Sequence, residues 1–430
     1  MQPSSRLTAL EASFLNIERA NLPMHIAARV DLEPDGGAPI AMRELRRHVA
    51  ARAARLPRFQ QRIVADPLGL WPRWSEPEPV ELDAHLYHHE VSSEAAVARL
   101  LGELHSDLLP RHRPLWEIHL VDSPGRQALL VKVHHAIADG IGGVHIARTL
   151  FDAVGAAEPL LPCPHREPAP ALVRAGQALL GAAFTIAGGP IARPSRFNLA
   201  VGRDRVVAFA TIPMEQLVAL KHEVGGSIDD VVLAAVALAI RDSHLAAANG
   251  MSLRAMIPVS TWAPGSDGAA GNHVSAIFVD LPQDTRDLGE IVARVSSSKS
   301  VLRGAHAAAA MSLGIEALGL LPGPVHGAAV RFTTTLPFAN LVVSDTPGPP
   351  EGLHLLGRRI AACYPLIPLP ATVGLSIAAL SVGGVMGVGV VADPRAVAEP
   401  ERLAQAIERA VSGPRLRARR SRTQPRVRAA

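Results

Sequence analysis

The sequence predicts a mixed α/β protein in which helices are layered on sheets in two lobes, and three observations carry that reading. Its 430 residues exceed one ordinary domain. A composition 48% apolar but only 3% aromatic supplies a large core of Ala, Val, Leu and Ile. Strand-like and helix-like patterns mix on both sides of one proline-dense stretch, Glu158 to Pro170.

In the first lobe, the pattern predicts helices over Met42 to Arg55 and over Ser92 to Leu109, the latter with a serine cap. A strand over Gln127 to Val133 ends in His134-His135, a loop runs from Ala136 to Gly143, and a helix starts at Val144. The prolines between 158 and 170 can continue neither helix nor central strand. The expected division is therefore a first lobe over 1–157, a linker with a crossover helix over 158–204, a second lobe over 205–413 and a basic tail over 414–430. In the second lobe we expect strands at Arg205 to Ile212, Arg254 to Val259, Ser275 to Leu281 and Asn340 to Ser344. Helices are expected at Met214 to Glu223, Asp229 to Ala246 and Leu288 to Ala310, with Asp229 as a candidate N-cap.

Residues Ile360 to Ala392 carry no charge and are long enough to cross a bilayer, but three prolines and several glycines interrupt them. They read better as buried strands, with Leu375 to Ser381 and Val385 to Val391 joined as a hairpin through Val382-Gly383-Gly384. The uncharged run Ala175 to Ala192 is expected to be a packed or interfacial helix.

Charge and cysteine content exclude several function classes. The formal charge is +4, but seven arginines lie beyond Pro414, and removing them turns +4 into −3. The body therefore has no excess suited to nucleic acid; the tail is expected to be a solvated disordered end, with weak contact to anionic lipid or RNA as the alternative. Two cysteines make neither a disulfide framework nor a metal cluster, so a reducing compartment and no metal are expected. Glu11 and Glu18 interrupt any signal-peptide core near the N-terminus, which points to the cytoplasm.

The chemistry concentrates in Val131-Lys-Val-His-His-Ala-Ile-Ala-Asp-Gly-Ile-Gly-Gly143. A neutral imidazole at a strand end can take the proton of an alcohol as it attacks a carbonyl. Strand alternation sends His134 and His135 to opposite faces, so only one can meet a given cavity. Asp139 could fix the loop or the ring, while Gly140, Gly142 and Gly143 permit positive φ and close approach beneath a ligand. Pro114, Leu115, Trp116 and Asn272 are candidate substrate contacts; for Trp116 a place in the core is the alternative, and for Asn272 a cap or loop bond.

The sequence resembles the wax ester synthase and acyl-CoA:diacylglycerol acyltransferase family, which shares His-His-x-x-x-Asp-Gly with a wider acyltransferase superfamily. The resemblance spans nearly the whole chain: Leu7-Thr-Ala-Leu-Glu-Ala-Ser-Phe-Leu15, Pro23-Met-His25, Arg113-Pro-Leu-Trp-Glu117, Ile257-Pro-Val-Ser260, Gly271-Asn272 and Ser344-Asp-Thr-Pro-Gly-Pro349. It implies two lobes like those of chloramphenicol acetyltransferase, with a tunnel where acyl-CoA and an alcohol meet at His135. His135 would be the general base, and Asp139 would hold the loop through a charged partner, for which Arg254 is a candidate. Acyl-CoA would be a substrate with no resident cofactor, the acceptor a diacylglycerol or long-chain alcohol, and contact with membrane or lipid inclusions peripheral. Three positions depart from the family pattern: Asp229 and Asp345 each stand for asparagine, and Trp262 for arginine. Transfer from a carrier protein or to another alcohol, and a non-catalytic lipid-binding relative, remain open alternatives.

Overall fold

The computed structural model describes residues 6–34, 38–66, 71–153, 191–245, 250–260, 274–304 and 307–412. The proline-dense stretch, the crossover run up to residue 190, Trp262, Asn272 and the arginine tail lie outside the described residues.

The first half contributes α1 (Ala9–Ile17), β1 (His25–Leu32), α2 (Met42–Ala53), β2 (Ile63–Val64), β3 (Arg73–Trp74), β4 (Leu86–Glu90) and α3 (Glu94–Ser106). It continues with β5 (Trp116–Ser123), β6 (Arg126–His134), α4 (Gly140–Leu150) and β7 (Asp152–Ala153). The second half begins with β8 (Val206–Pro213), α5 (Met214–Val224), α6 (Ile228–Asp242), β9 (Leu253–Ser260), β10 (Val274–Leu281) and α7 (Leu288–Gly304). After these come α8 (Ala307–Leu318), α9 (Gly323–Thr333), β11 (Leu341–Thr346), β12 (Leu353–Leu355), β13 (Arg358–Leu366), β14 (Leu375–Val382), β15 (Val385–Ala392) and α10 (Pro400–Ser412).

Two mixed sheets organise these elements. One runs β4-β5-β6-β1-β13-β12-β7 and the other β10-β9-β11-β14-β15-β8. The first is not made by the first half alone: β12 and β13 cross from the second half, and β13 pairs antiparallel with β1 from Ala27–Leu366 to Leu32–Ile360. A boundary drawn along the sequence at residue 205 therefore does not divide the sheets. Near β13 the chain passes tightly against β15 of the other sheet. A Cβ on Gly387 or Gly389 would sit 2.2 or 1.9 Å from the carbonyl oxygens of Cys363 and Pro365, so side-chain-free positions are required there.

Most expected elements are present within a few residues of their expected bounds. The uncharged stretch from Ile360 forms strands, and β14 and β15 turn at Gly383 and Gly384, both at positive φ. Among the described residues no helix is long and apolar enough to cross a membrane. The expected helix Leu288 to Ala310 is two, α7 and α8. The helix after the histidine motif starts at Gly140 rather than Val144, because Asp139 caps it there. Ser227, not Asp229, caps α6, and it forms a capping box with Asp230. From Val231 to Ile240 that helix is buried on every side beneath α7 and α10, which is why its sequence is apolar all round.

Candidate active site

Alternation along β6 decides which histidine meets the cavity. Val131, Val133 and His135 line a cavity of about 850 Å³, whereas Lys132 and His134 point to the other face. The cavity walls come from both sheets, with Ile26 and Val131 on one side and Met256, Phe278, Val342 and Ala378 on the other. Its volume suits a sizeable ligand and its lining is overwhelmingly apolar, with His135, Ser13, Ser344 and Thr346 among the few polar groups.

His134 is fully buried and serves as a brace. Its Nδ1 accepts a hydrogen bond from the Ala136 amide at 3.0 Å, which leaves Nε2 protonated and 3.2 Å from Glu18 Oε1. Glu18 also pairs with Arg111 at 2.9 Å and accepts from the Met24 amide at 3.2 Å. Burial pushes the Glu18 carboxyl up, but His134 and Arg111 outweigh it and bring it down to about 2. The His134 amide donates to the Leu115 carbonyl and the His135 amide to the Met24 carbonyl, at 3.0 and 2.8 Å. The turn carrying both histidines is thus fastened at three points, to Glu18 at the end of α1, to Leu115 just before β5 and to Met24 just before β1.

His135 is presented differently. Its ring stacks on Phe14 of α1, with centroids 4.0 Å apart and planes within 9°. Burial pulls its pKa down to about 4, against the opposing effects of a hydrogen bond to its own backbone and the Asp139 charge. A carbonyl can only accept, so the ring nitrogen bonded to the backbone carries the proton and the other is left as an acceptor. A neutral, oriented base in an apolar cavity can remove a proton from an alcohol.

Asp139 is buried and its Oδ1 accepts from the Gly142 amide at 2.8 Å, closing the first turn of α4. Arg254, the candidate partner for it, has its guanidinium 3.1 Å from Asp280. The glycines differ from expectation: Gly140, Gly142 and Gly143 are helical and none has positive φ, because the motif folds as a capped helix start. Gly140 is small for another reason. A Cβ there would meet Thr346 Oγ1 at 2.8 Å, where α4 abuts the end of β11 across the cavity. Gly140 and Gly143 line the cavity; Gly142 does not.

Pro114, Leu115 and Trp116 do not line it either. Trp116 is fully buried, stacked on Phe59 at 4.8 Å and His85 at 4.2 Å, with its Nε1–H donated to the Phe59 carbonyl. Leu115 is buried core whose carbonyl holds His134, so the Pro-Leu-Trp segment supports the turn. Asn272 lies outside the described residues. Phe14 and Glu18 were not singled out as site residues from sequence. The available signal was a helix in which Glu11 and Glu18 interrupt apolar positions, which marks polar groups with buried partners.

Two of the three departures, Asp229 and Asp345, lie close enough to interact. Lys299 of α7 pairs with both Asp229 and Asp230, the latter at 2.7 Å. Asp345, next to the cavity-lining Ser344 and Thr346, is pushed up to about 7 by burial and by Asp229, with Lys299 opposing.

Comparison with known proteins places this geometry. The profile described as "Wax ester synthase/diacylglycerol acyltransferase catalytic domain" matches residues 7–189, and the "WS/DGAT C-terminal domain" matches residues 270–413. The chain belongs to the wax ester synthase/diacylglycerol acyltransferase family. A Mycobacterium tuberculosis relative named probable diacylglycerol O-acyltransferase tgs2 is 29% identical over 442 residues, covering 93% of this chain and 96% of the relative. A second one, tgs1 of the same species, is 27% identical and covers 95% of each. The fold is that of the wax ester synthase/diacylglycerol acyltransferase from Marinobacter aquaeolei VT8, with TM-score 0.67, 22% identity and coverage of 95% and 98%. It is shared with the first condensation domain of the CDA synthetase, at TM-score 0.65 and 16% identity, covering 96% of this chain and 97% of that domain. Family membership makes this chain an acyltransferase.

Proposed function

We propose that the protein moves a long-chain acyl group from acyl-CoA to the hydroxyl of a diacylglycerol or fatty alcohol, with His135 as general base. The observation that carries this reading is His135 itself, a neutral imidazole stacked on Phe14 at the wall of an apolar cavity of about 850 Å³. The unprotonated ring nitrogen of His135 takes the acceptor's proton as its oxygen attacks the thioester carbonyl. The tetrahedral intermediate collapses with loss of the CoA thiolate, which recovers the proton from the imidazolium. Nothing in this sequence of steps calls for a resident cofactor. The acyl chains occupy the apolar lining, and Asp139 with Gly140 keeps α4 against β11 so that the two lobes enclose them. The dependence on insoluble substrates supports a peripheral, cytoplasmic protein working at a lipid surface.

The test is CoA release from palmitoyl-CoA by wild type and His135→Ala, with a diacylglycerol and a long-chain alcohol offered separately. Release that disappears in the variant is expected. Undiminished release would remove His135 from the mechanism, and no release by wild type with either acceptor would favour another donor or a non-catalytic relative.

A further inference from the structure

Helices α8 and α9 both turn apolar side chains to the cavity, and α9 has an apolar outer face as well. Inward, Met311, Ile315 and Val330 line the cavity. Outward, Val325, Ala328 and Phe332 recur at i, i+3 and i+7 along one exposed face of α9. Phe332 is 66% exposed, Val325 51% and Leu320, in the connection between the helices, 86%. Ile191, 54% exposed, lies nearby, since the Ala192 amide donates to the Pro337 carbonyl just past α9. Gly314 and Thr333 line the cavity and are exposed, which puts a mouth of the cavity between these two helices.

We propose that this corner is the surface by which the protein seats on a lipid phase, with the mouth between Gly314 and Thr333 facing the acyl chains. The inference rests on the acyl-transfer reading, and three features select lipid as the occupant. The exposed apolar face is continuous with the apolar cavity, so a chain entering from lipid is never drawn through water. From 307 to 338 only Glu316 and Arg331 carry charge, which makes insertion inexpensive. A basic group borders the face: Arg331 of α9 is exposed and adjoins Phe332. It complements the phosphates of an anionic leaflet. A second copy of this chain, or its own uncharged run Ala175 to Ala192, would be the other occupants.

The experiment is flotation of the full-length protein with phosphatidylcholine/phosphatidylglycerol vesicles, comparing wild type with Leu320→Glu/Phe332→Glu. Neither residue lines the cavity, so CoA release to a water-soluble short-chain alcohol is expected to stay unchanged while the vesicle-bound fraction falls at least tenfold. A Phe332→Trp variant should bind like wild type and be quenched by brominated lipid. Vesicle binding that survives the double glutamate variant would overturn the proposal, as would a tryptophan at 332 that brominated lipid does not quench. A shift from dimer to monomer with binding intact would assign the face to a second copy and overturn it equally. Because flotation does not require turnover, loss of binding in a protein that releases no CoA would support the docking surface while removing the acyl-transfer reading.

Discussion

The ring of Phe14 lies parallel to that of His135, 4.0 Å away, so the N-terminal helix covers one face of the imidazole proposed as the base. Replacing Phe14 by alanine opens that face to water. We expect kcat to fall about tenfold, equivalent to about 1.4 kcal/mol in the barrier. The acid limb of the kcat/KM profile tests the cause. Burial holds His135 near 4 in wild type, and the active form is the neutral one, so activity is retained as pH falls until that value is approached. In Phe14→Ala the limb should move upward, toward the 6.5 of an exposed histidine. An unmoved limb would mean that the stack contributes nothing to desolvation.

Glu18 joins α1 to His134, and its substitution should act on His135 through position. Glu18→Gln keeps an acceptor for Nε2–H but loses the charge that pairs with Arg111. We expect kcat to drop several-fold with KM little changed, and Glu18→Ala to be worse and unstable. Because the Glu18 carboxyl sits near 2 when folded and 4.5 is its ordinary value, its contribution to stability is complete above about 4.5 and lost as pH falls toward 2. Urea unfolding between pH 3 and 6 should show a dependence in Glu18→Gln that is shallower than in wild type by the contribution of one proton.

A second pair of rings, His25 Nε2 and His105 Nδ1, meet at 3.1 Å in the interior of the first lobe. Burial first, then Lys132 and Arg205, hold His105 down to about 3, and His25 is lowered by the same groups together with His105 and His134. The unfolded chain takes up protons below about 6.5 that the folded one refuses, so stability falls as pH drops through that value. Each histidine contributes a slope of about 1.4 kcal/mol per pH unit. Denaturant midpoints from pH 7 to 5 should decline accordingly, and His105→Gln should reduce the slope by about one proton.

Asp345 runs in the opposite direction. Its folded value of about 7 exceeds the ordinary 3.8, so ionising it costs stability progressively as pH rises between the two, and fully above 7. Asp345→Asn removes the charge repelled by Asp229. It should stabilise the protein by up to about 4 kcal/mol at pH 8 and about 2 kcal/mol at pH 5, read as Tm at the two values.

Much of the fold could be read in the sequence because its signals were local. The Gly383-Gly384 turn, the serine-capped α3 and the strand leading to His134 each depend on neighbours only a few residues away. The alternation that separates His135 from His134 is likewise a property of one strand. Long-range pairing was not legible. Nothing in Arg358–Leu366 announces that it inserts beside β1, and nothing in the Pro-Leu-Trp segment distinguishes a tryptophan facing a ligand from one stacked between Phe59 and His85. Glycine is compatible with both a turn and a helix start, so sequence alone does not tell whether the glycines after Asp139 form a loop or a helix. The Asp139 cap decides between them, and its bond to Gly142 is visible only in three dimensions.

The insertion of β13 between β1 and β12 also has a temporal meaning. The sheet that presents His135 lacks a strand beside β1 until Leu366 has left the ribosome. During synthesis β1 therefore has an unpaired edge for most of the chain's length, the situation that invites wrong partners. The active-site lobe is begun first and finished late, and a fragment ending before residue 358 would carry that open edge permanently.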